Sequence, residues 1–81
     1  MKAINIIKGI RAKHRLTQDE IAKMLNVSRQ TYNSIENNPT KADLDKVYKI
    51  FGLLNEPIDD FLYALKQDYL SYKEDNEKKE D

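Results

Sequence analysis

Residues 17–36, TQDEIAKMLNVSRQTYNSIE, carry two short amphipathic helical patterns separated by a tight break at Asn26-Val27. The first opens with a capping box, in which the Thr17 hydroxyl accepts from an orphan backbone N–H and the Glu20 carboxylate reaches back to the cap. Ile21, Ala22 and Leu25 then fall on one helical face. Ser28 is placed to cap a second helix whose inward positions are Tyr32 and Ile35. The opposite face of that helix presents Arg29, Gln30, Asn33 and Ser34. Such side chains read base edges in a major groove, Arg pairing bidentately with guanine and Asn or Gln with adenine. The segment thus supplies both a scaffold and a candidate reading head.

The chain has 81 residues, which favours one domain with a marginal core that a second copy would supplement. Cysteine is absent, so no disulfide or thiolate metal site can staple the fold. No apolar run approaches the roughly 18–20 residues of a membrane span. The opening MKAINIIKGIRAKH is too interrupted by Lys, Asn and Gly for a signal peptide, so a cytoplasmic, non-membrane protein is expected. Net charge is zero, yet it is unevenly spread. Residues 1–41 hold eight basic and three acidic residues, a net +5, and residues 42–81 hold six and eleven, a net −5. The basic half contains the 17–36 segment, as an electrostatic footprint on phosphate requires. The plainer alternative is chance segregation on a solvated surface.

Helical periodicity predicts an all-α chain. A first helix is expected over about residues 3–15, with Ile7 and Ile10 inward, Ile4 or Ile6 assisting, and Gly9 costing about 1 kcal/mol relative to Ala. The next two helices are expected over about 18–25 and 29–36. Asn37-Asn38-Pro39-Thr40-Lys41 reads as a loop in which Asn takes the left-handed conformation and Pro39 stops the helix. Asp43 suits the N-cap of a fourth helix with Leu44, Val47, Ile50 and Phe51 at helical spacing. Pro57 suits the first turn of a fifth. Ile58, Phe61, Leu62, Leu65 and Tyr69 continue a 3–4 spacing along that helix. Either its first turns close the core and the rest is a solvated extension, or Leu65, Tyr69, Leu70 and Tyr72 form an exposed stripe for a second subunit. The charged end, KEDNEKKED, is expected to fray.

These residues resemble the lambda-repressor/Cro-type helix-turn-helix regulators, over about residues 5–62 without a gap. The resemblance rests on Arg11, on Leu16-Thr17-Gln18-x-Glu20-Ile21-Ala22, and on Leu25-Asn26-Val27-Ser28-Arg29-Gln30-Thr31. It continues through Ile35-Glu36-Asn37, the Leu44-x-x-Val47 spacing and Ile58-Asp59-x-Phe61. It implies a compact bundle of five helices; the long acidic fifth helix exceeds the short final helix of the minimal family fold, so a DNA-binding domain is expected over residues 1–65 and an acidic helical extension with a disordered tail over residues 66–81. It also implies a dimer on double-stranded DNA, with helix 28–36 in the major groove. Arg29, Gln30, Asn33 and Ser34 would contact bases; Gln18, Ser28, Asn38, Thr40 and Lys41 would contact phosphates. Arg11 and Glu36 match an ion pair that would brace the recognition helix against the body. Ala22 would be the small residue at the crossing of helices two and three. Tyr32 stands where Ile or Val is usual, so its hydroxyl needs the surface or a partner. The turn residue is Asn26 in place of the usual Gly, tolerable in the left-handed region. The loop after the motif departs further, with Asn38 for Gly and with Ala42 where Pro is usual.

Two functions compete. One is a sequence-specific transcriptional regulator, most simply a dimeric repressor. The other is a protein-interaction module, such as an antitoxin or adaptor, whose acidic C-terminal helix clasps a second protein. An enzyme is not expected: His14 is the only histidine, and no Gly-rich phosphate loop is present. Glu56, Asp59 and Asp60 read as charge compensating a helix N-terminus, with neither metal nor cofactor implied.

Overall fold

The computed structural model describes the backbone of residues 2–79 and the side chains of residues 2–71. The described residues form five α-helices and no strand: α1 Ala3–Lys13, α2 Gln18–Leu25, α3 Arg29–Asn37, α4 Leu44–Leu53 and α5 Asp59–Lys79, with a 3-10 turn at Pro39–Lys41. α1 packs on α3 and α5, and α2 packs on α3 and α4. One core joins them, built from Ala3 and Ile7 of α1, Ile21, Ala22 and Leu25 of α2, and Tyr32 and Ile35 of α3. Val47, Ile50, Phe51 and Leu54 from the α4 region and Phe61 and Ala64 of α5 complete it. The Phe51 and Phe61 rings lie 5.4 Å apart and tilted, a favourable aromatic pairing between α4 and α5. Ile6 and Ile10 pack at its margin.

Three helices end in the same way. After α1 the N–H of Leu16 bonds to the carbonyl of Arg11, and that of Arg15 to Ala12; after α2 Val27 bonds to Ala22 and Asn26 to Lys23; after α4 Glu56 bonds to Phe51 and Asn55 to Gly52. This is the Schellman pattern, which places one residue in the left-handed region. Here those residues are Arg15, Asn26 and Asn55, at φ of 56°, 59° and 53°. α1 therefore stops two residues short of the expected Arg15, which forms the turn instead. Asn26 occupies the left-handed position expected of it.

The loop after α3 differs from expectation. Asn38 has φ −130° and ψ 63°, and neither it nor Asn37 is left-handed. Asn38 precedes Pro39, whose ring excludes helical conformations from the residue before it. The chain leaves α3 through the 3-10 turn, and Pro39 is buried against the body. Asp43 caps α4 through a 3.0 Å bond from the Asp45 N–H. Leu44, at the very start of α4, is about half exposed. Pro57 precedes α5 by two residues and does not join its first turn, because the Ile58 carbonyl accepts the first helical bond. α5 runs from Asp59 through Lys79. Its length of 21 residues spans about 31 Å.

α1 has no side-chain cap of its own, since Lys2 occupies its N-cap position. Asp68 of α5 fills the gap: its Oδ2 accepts from the Ala3 N–H at 3.1 Å. An acid at a helix N-terminus also complements the helix dipole.

Candidate nucleic-acid interface

α2 and α3 are locked at their starts by their own side chains. Thr17 accepts from the Glu20 N–H at 3.1 Å, and the Thr17 N–H donates to Glu20 Oε1 at 2.9 Å. Ser28 Oγ accepts from the Thr31 N–H at 3.0 Å and donates to Thr31 Oγ1 at 2.9 Å. The left-handed Asn26 turns the chain between them, and Ala22 is buried in the core beside Ile21 and Leu25. With Tyr32, Ile35 and Glu36 inward, α3 leaves Arg29, Gln30, Asn33 and Ser34 exposed. The four candidate base-reading side chains thus share the outward side. Arg29 Nε lies 3.8 Å from Asp19 Oδ1, a loose contact between two largely exposed groups.

Beneath that face, Glu36 is 1% exposed and ionisable. Arg11 meets it bidentately, Nε to Oε2 at 2.8 Å and Nη2 to Oε1 at 3.1 Å, while Arg11 Nη1 donates to the Leu16 carbonyl at 3.1 Å. The Tyr32 hydroxyl donates to Glu36 Oε2 at 2.6 Å and Gln18 Nε2 to Oε1 at 3.2 Å. Burial alone would raise the Glu36 pKa. The hydrogen bonds from Arg11, Tyr32 and Gln18, with the charge of Arg11, outweigh it and hold the carboxyl below its ordinary value. Burial, followed by the bond to Glu36, pushes the Tyr32 phenol up. Tyr32 is fully buried, so its hydroxyl finds a partner inside the protein and not at the surface. One carboxylate therefore ties α1, α2 and α3 together.

The candidate phosphate contacts are dispersed. Asn38 and Lys41 converge with Ser34 on a groove of about 430 Å³ between α3 and the start of α4. Thr31 and Lys46 also line it, and neither stood out in the sequence. Lys46 lies in the expected fourth helix, and only the fold brings it beside Lys41 of the preceding turn. Thr40 lies apart, lining a groove with Leu62, Leu65, Lys66 and Tyr69 of α5. Gln18 spends its amide hydrogens on Glu36 and on Asn33 Oδ1, the latter at 3.1 Å. Ser28 is engaged as a cap.

On α5, Leu65 packs against the core, whereas Tyr69 and Leu70 are 55% and 43% exposed. The side chain of Tyr72 lies outside the described residues. Asp59 and Asp60 lie in the first turn of α5, where an acid complements the helix dipole, and Glu56 pairs instead with the end of α1. It bonds to His14 Nε2 at 2.7 Å and to Lys13 Nζ at 3.0 Å, tying the end of α1 to the loop before α5. Among the described residues no group of His, Asp and Glu could hold a metal ion, and no helix is long and apolar enough to cross a membrane.

Comparison with known proteins agrees with this geometry. A family model described as Helix-turn-helix matches residues 7–61. An uncharacterised HTH-type transcriptional regulator of Methanocaldococcus jannaschii is 42% identical over 60 residues, covering 73% of this chain and 91% of the relative. A second uncharacterised HTH-type transcriptional regulator, from Archaeoglobus fulgidus, is 39% identical over 54 residues, covering 67% and 76%. No solved structure gives a significant match. The matched span runs from the middle of α1 to the first turn of α5 and takes in the whole Glu36 network, and on that ground the chain belongs to the Cro-type helix-turn-helix family.

Proposed function

We propose that this protein is a sequence-specific DNA-binding transcriptional regulator, most simply a dimeric cytoplasmic repressor, that lays α3 in the major groove of duplex DNA. Family membership supports the DNA-binding regulator. The observation that carries the finer reading is the polar face of α3, four exposed side chains suited to base edges on a helix fixed from behind by Glu36. In this reading Arg29, Gln30, Asn33 and Ser34 meet bases. Asn38 and Lys41 reach phosphates beside them, with Gln18, Ser28 and Thr40 contributing backbone or hydroxyl contacts that position without specifying. The protein does no chemistry of its own. Residues 1–65 act as the DNA-binding unit and residues 66–81 as its extension.

Selection of bound duplexes from a random pool tests this. A two-fold motif with half-sites about 10 base pairs apart, matching recognition helices about 34 Å apart, is the expected result. Uniformly weak binding to every sequence would sink it.

The exposed Tyr69 and Leu70 on an acidic half favour a second reading, in which α5 clasps a copy of this chain or another protein. Sedimentation of a Tyr69→Lys, Leu70→Lys variant separates these. Loss of the dimer assigns the stripe to self-association; a retained dimer leaves it to another partner, as in an antitoxin or adaptor, or to none.

A further inference from the structure

Asn33 is exposed on α3, yet its amide is not free to turn. Its Oδ1 accepts from Gln18 Nε2 at 3.1 Å and from Asn37 Nδ2 at 2.9 Å. A carbonyl oxygen has two lone pairs, so its acceptor capacity is filled.

The two ends of an amide are alike in shape, and the surrounding network decides which is which. Here two acceptor-only groups decide. Gln18 Nε2 also donates to Glu36 Oε1, and a carboxylate gripped by Arg11 can only accept. The end of Gln18 that faces Glu36 is therefore its NH2. Asn37 Nδ2 also donates to the backbone carbonyl of Asn33 at 3.0 Å, another group that only accepts. Both neighbours present N–H to Asn33, and Asn33 must answer with oxygen. Its own Nδ2 then carries two hydrogens with no protein partner among the described residues.

We propose that Asn33 reads the major groove as a donor only, and that Gln18 and Asn37 are the positioning residues that impose this polarity. The bases it fits best are those that offer it acceptors without a donor, guanine through O6 and N7 and thymine through O4; adenine offers N7 but beside it an N6–H₂ that finds no acceptor. The inference rests on α3 being the recognition helix. A freely turning asparagine takes adenine, with Oδ1 accepting from N6–H and Nδ2 donating to N7. With Oδ1 doubly engaged the first of those bonds is lost, and a cytosine N4–H₂ would meet hydrogens. The buried Arg11–Glu36 pair thereby sets, through Gln18, the sign of a hydrogen bond made on the far side of α3.

Selection from a random duplex pool, run in parallel for the wild type, Asn33→Asp and the double variant Gln18→Ala, Asn37→Ala, tests the proposal. Asn33→Asp keeps the oxygen that Gln18 and Asn37 bond and replaces the outward NH2 with a second oxygen of similar shape. The position whose preference this variant changes is the one Asn33 faces. The expected wild-type preference there is guanine or thymine, by on the order of tenfold. Asn33→Asp should move it to a donor-bearing base, cytosine first. The double variant frees the amide and should admit adenine. Wild-type adenine at that position, no position altered by Asn33→Asp, or an unchanged preference in the double variant would each overturn the proposal and leave the DNA-binding reading intact. Failure of the wild type to enrich any sequence would overturn that reading, and the proposal with it.

Discussion

Glu36 shows how much of this molecule hangs on one side chain. It is a charge in the core, affordable only because two guanidinium nitrogens, a phenol and an amide all donate to it. Glu36→Gln would leave Arg11 facing an NH2 group. Because Arg11 is itself partly exposed, the expected cost is about 2 kcal/mol, less than for a fully buried pair, and urea unfolding measures it. The folded-state pKa of Glu36 is lowered, so its contribution is fully present above the unfolded carboxyl value of about 4.3 and is lost as pH falls through the lower folded value. The stability of the wild type should therefore fall steeply in that acid range, and the curve for Glu36→Gln should be flatter there. On the exposed face, Arg29→Ala should relax the selected motif at one base position and leave thermal stability near that of the wild type. Parts of this network were legible beforehand: the resemblance paired Arg11 with Glu36. The role of Gln18 as a bridge to Asn33 was not, because it depends on a crossing of α2 and α3 that no spacing along the chain reveals.

At the scale of elements, boundaries followed chemistry that can be read locally wherever the signal is itself local. Thr17-x-x-Glu20, Ser28 and Asp43 each cap the helix they were expected to cap. The misreadings arose where tertiary structure decides. The left-handed Arg15 is dictated by the return of Leu16 toward the body, not by any turn propensity of arginine. Likewise, Asn37 and Asn38 lost the left-handed role to the constraint of Pro39. The cap on α1 came from Asp68, 65 residues away. Asp68→Ala should cost about 1 kcal/mol, as loss of an N-cap does, and Asp68→Asn should recover most of it because the amide oxygen still accepts. Chemical denaturation of both variants checks this. Gly9 lies inside α1, and a Cβ added there meets nothing within 4 Å. Gly9→Ala should raise stability by about 0.5–1 kcal/mol, seen as a higher thermal midpoint.

Across the whole molecule the charge division acquires a physical meaning. The basic half holds α1 to α3 and the candidate reading face, while the acidic half holds α4 and the long α5. If DNA is the ligand, affinity should drop steeply as salt rises, since each neutralised phosphate releases counterions. Residues 72–81 carry three lysines and five acids, so truncation after Ser71 takes the chain from neutral to +2. Binding to non-specific duplex should then strengthen at low ionic strength, and the gain should vanish near 1 M salt, where the Debye length is about 3 Å. Fluorescence anisotropy over a salt series would show both.

The bond from Ala3 to Asp68 also bears on how the protein is made. α1 precedes by the length of the bundle the helix that carries its end cap and part of its packing, α5. α2, α3 and α4 can gather local contacts as they emerge, whereas α1, although it also packs on α3, lacks its cap until α5 follows. Docking of α5 on α1 joins residues 65 positions apart, and a contact so distant along the chain forms late. During synthesis the candidate reading face of α3 thus emerges before α1 gains its cap, and the full stability of the bundle should arrive only once α5 has followed.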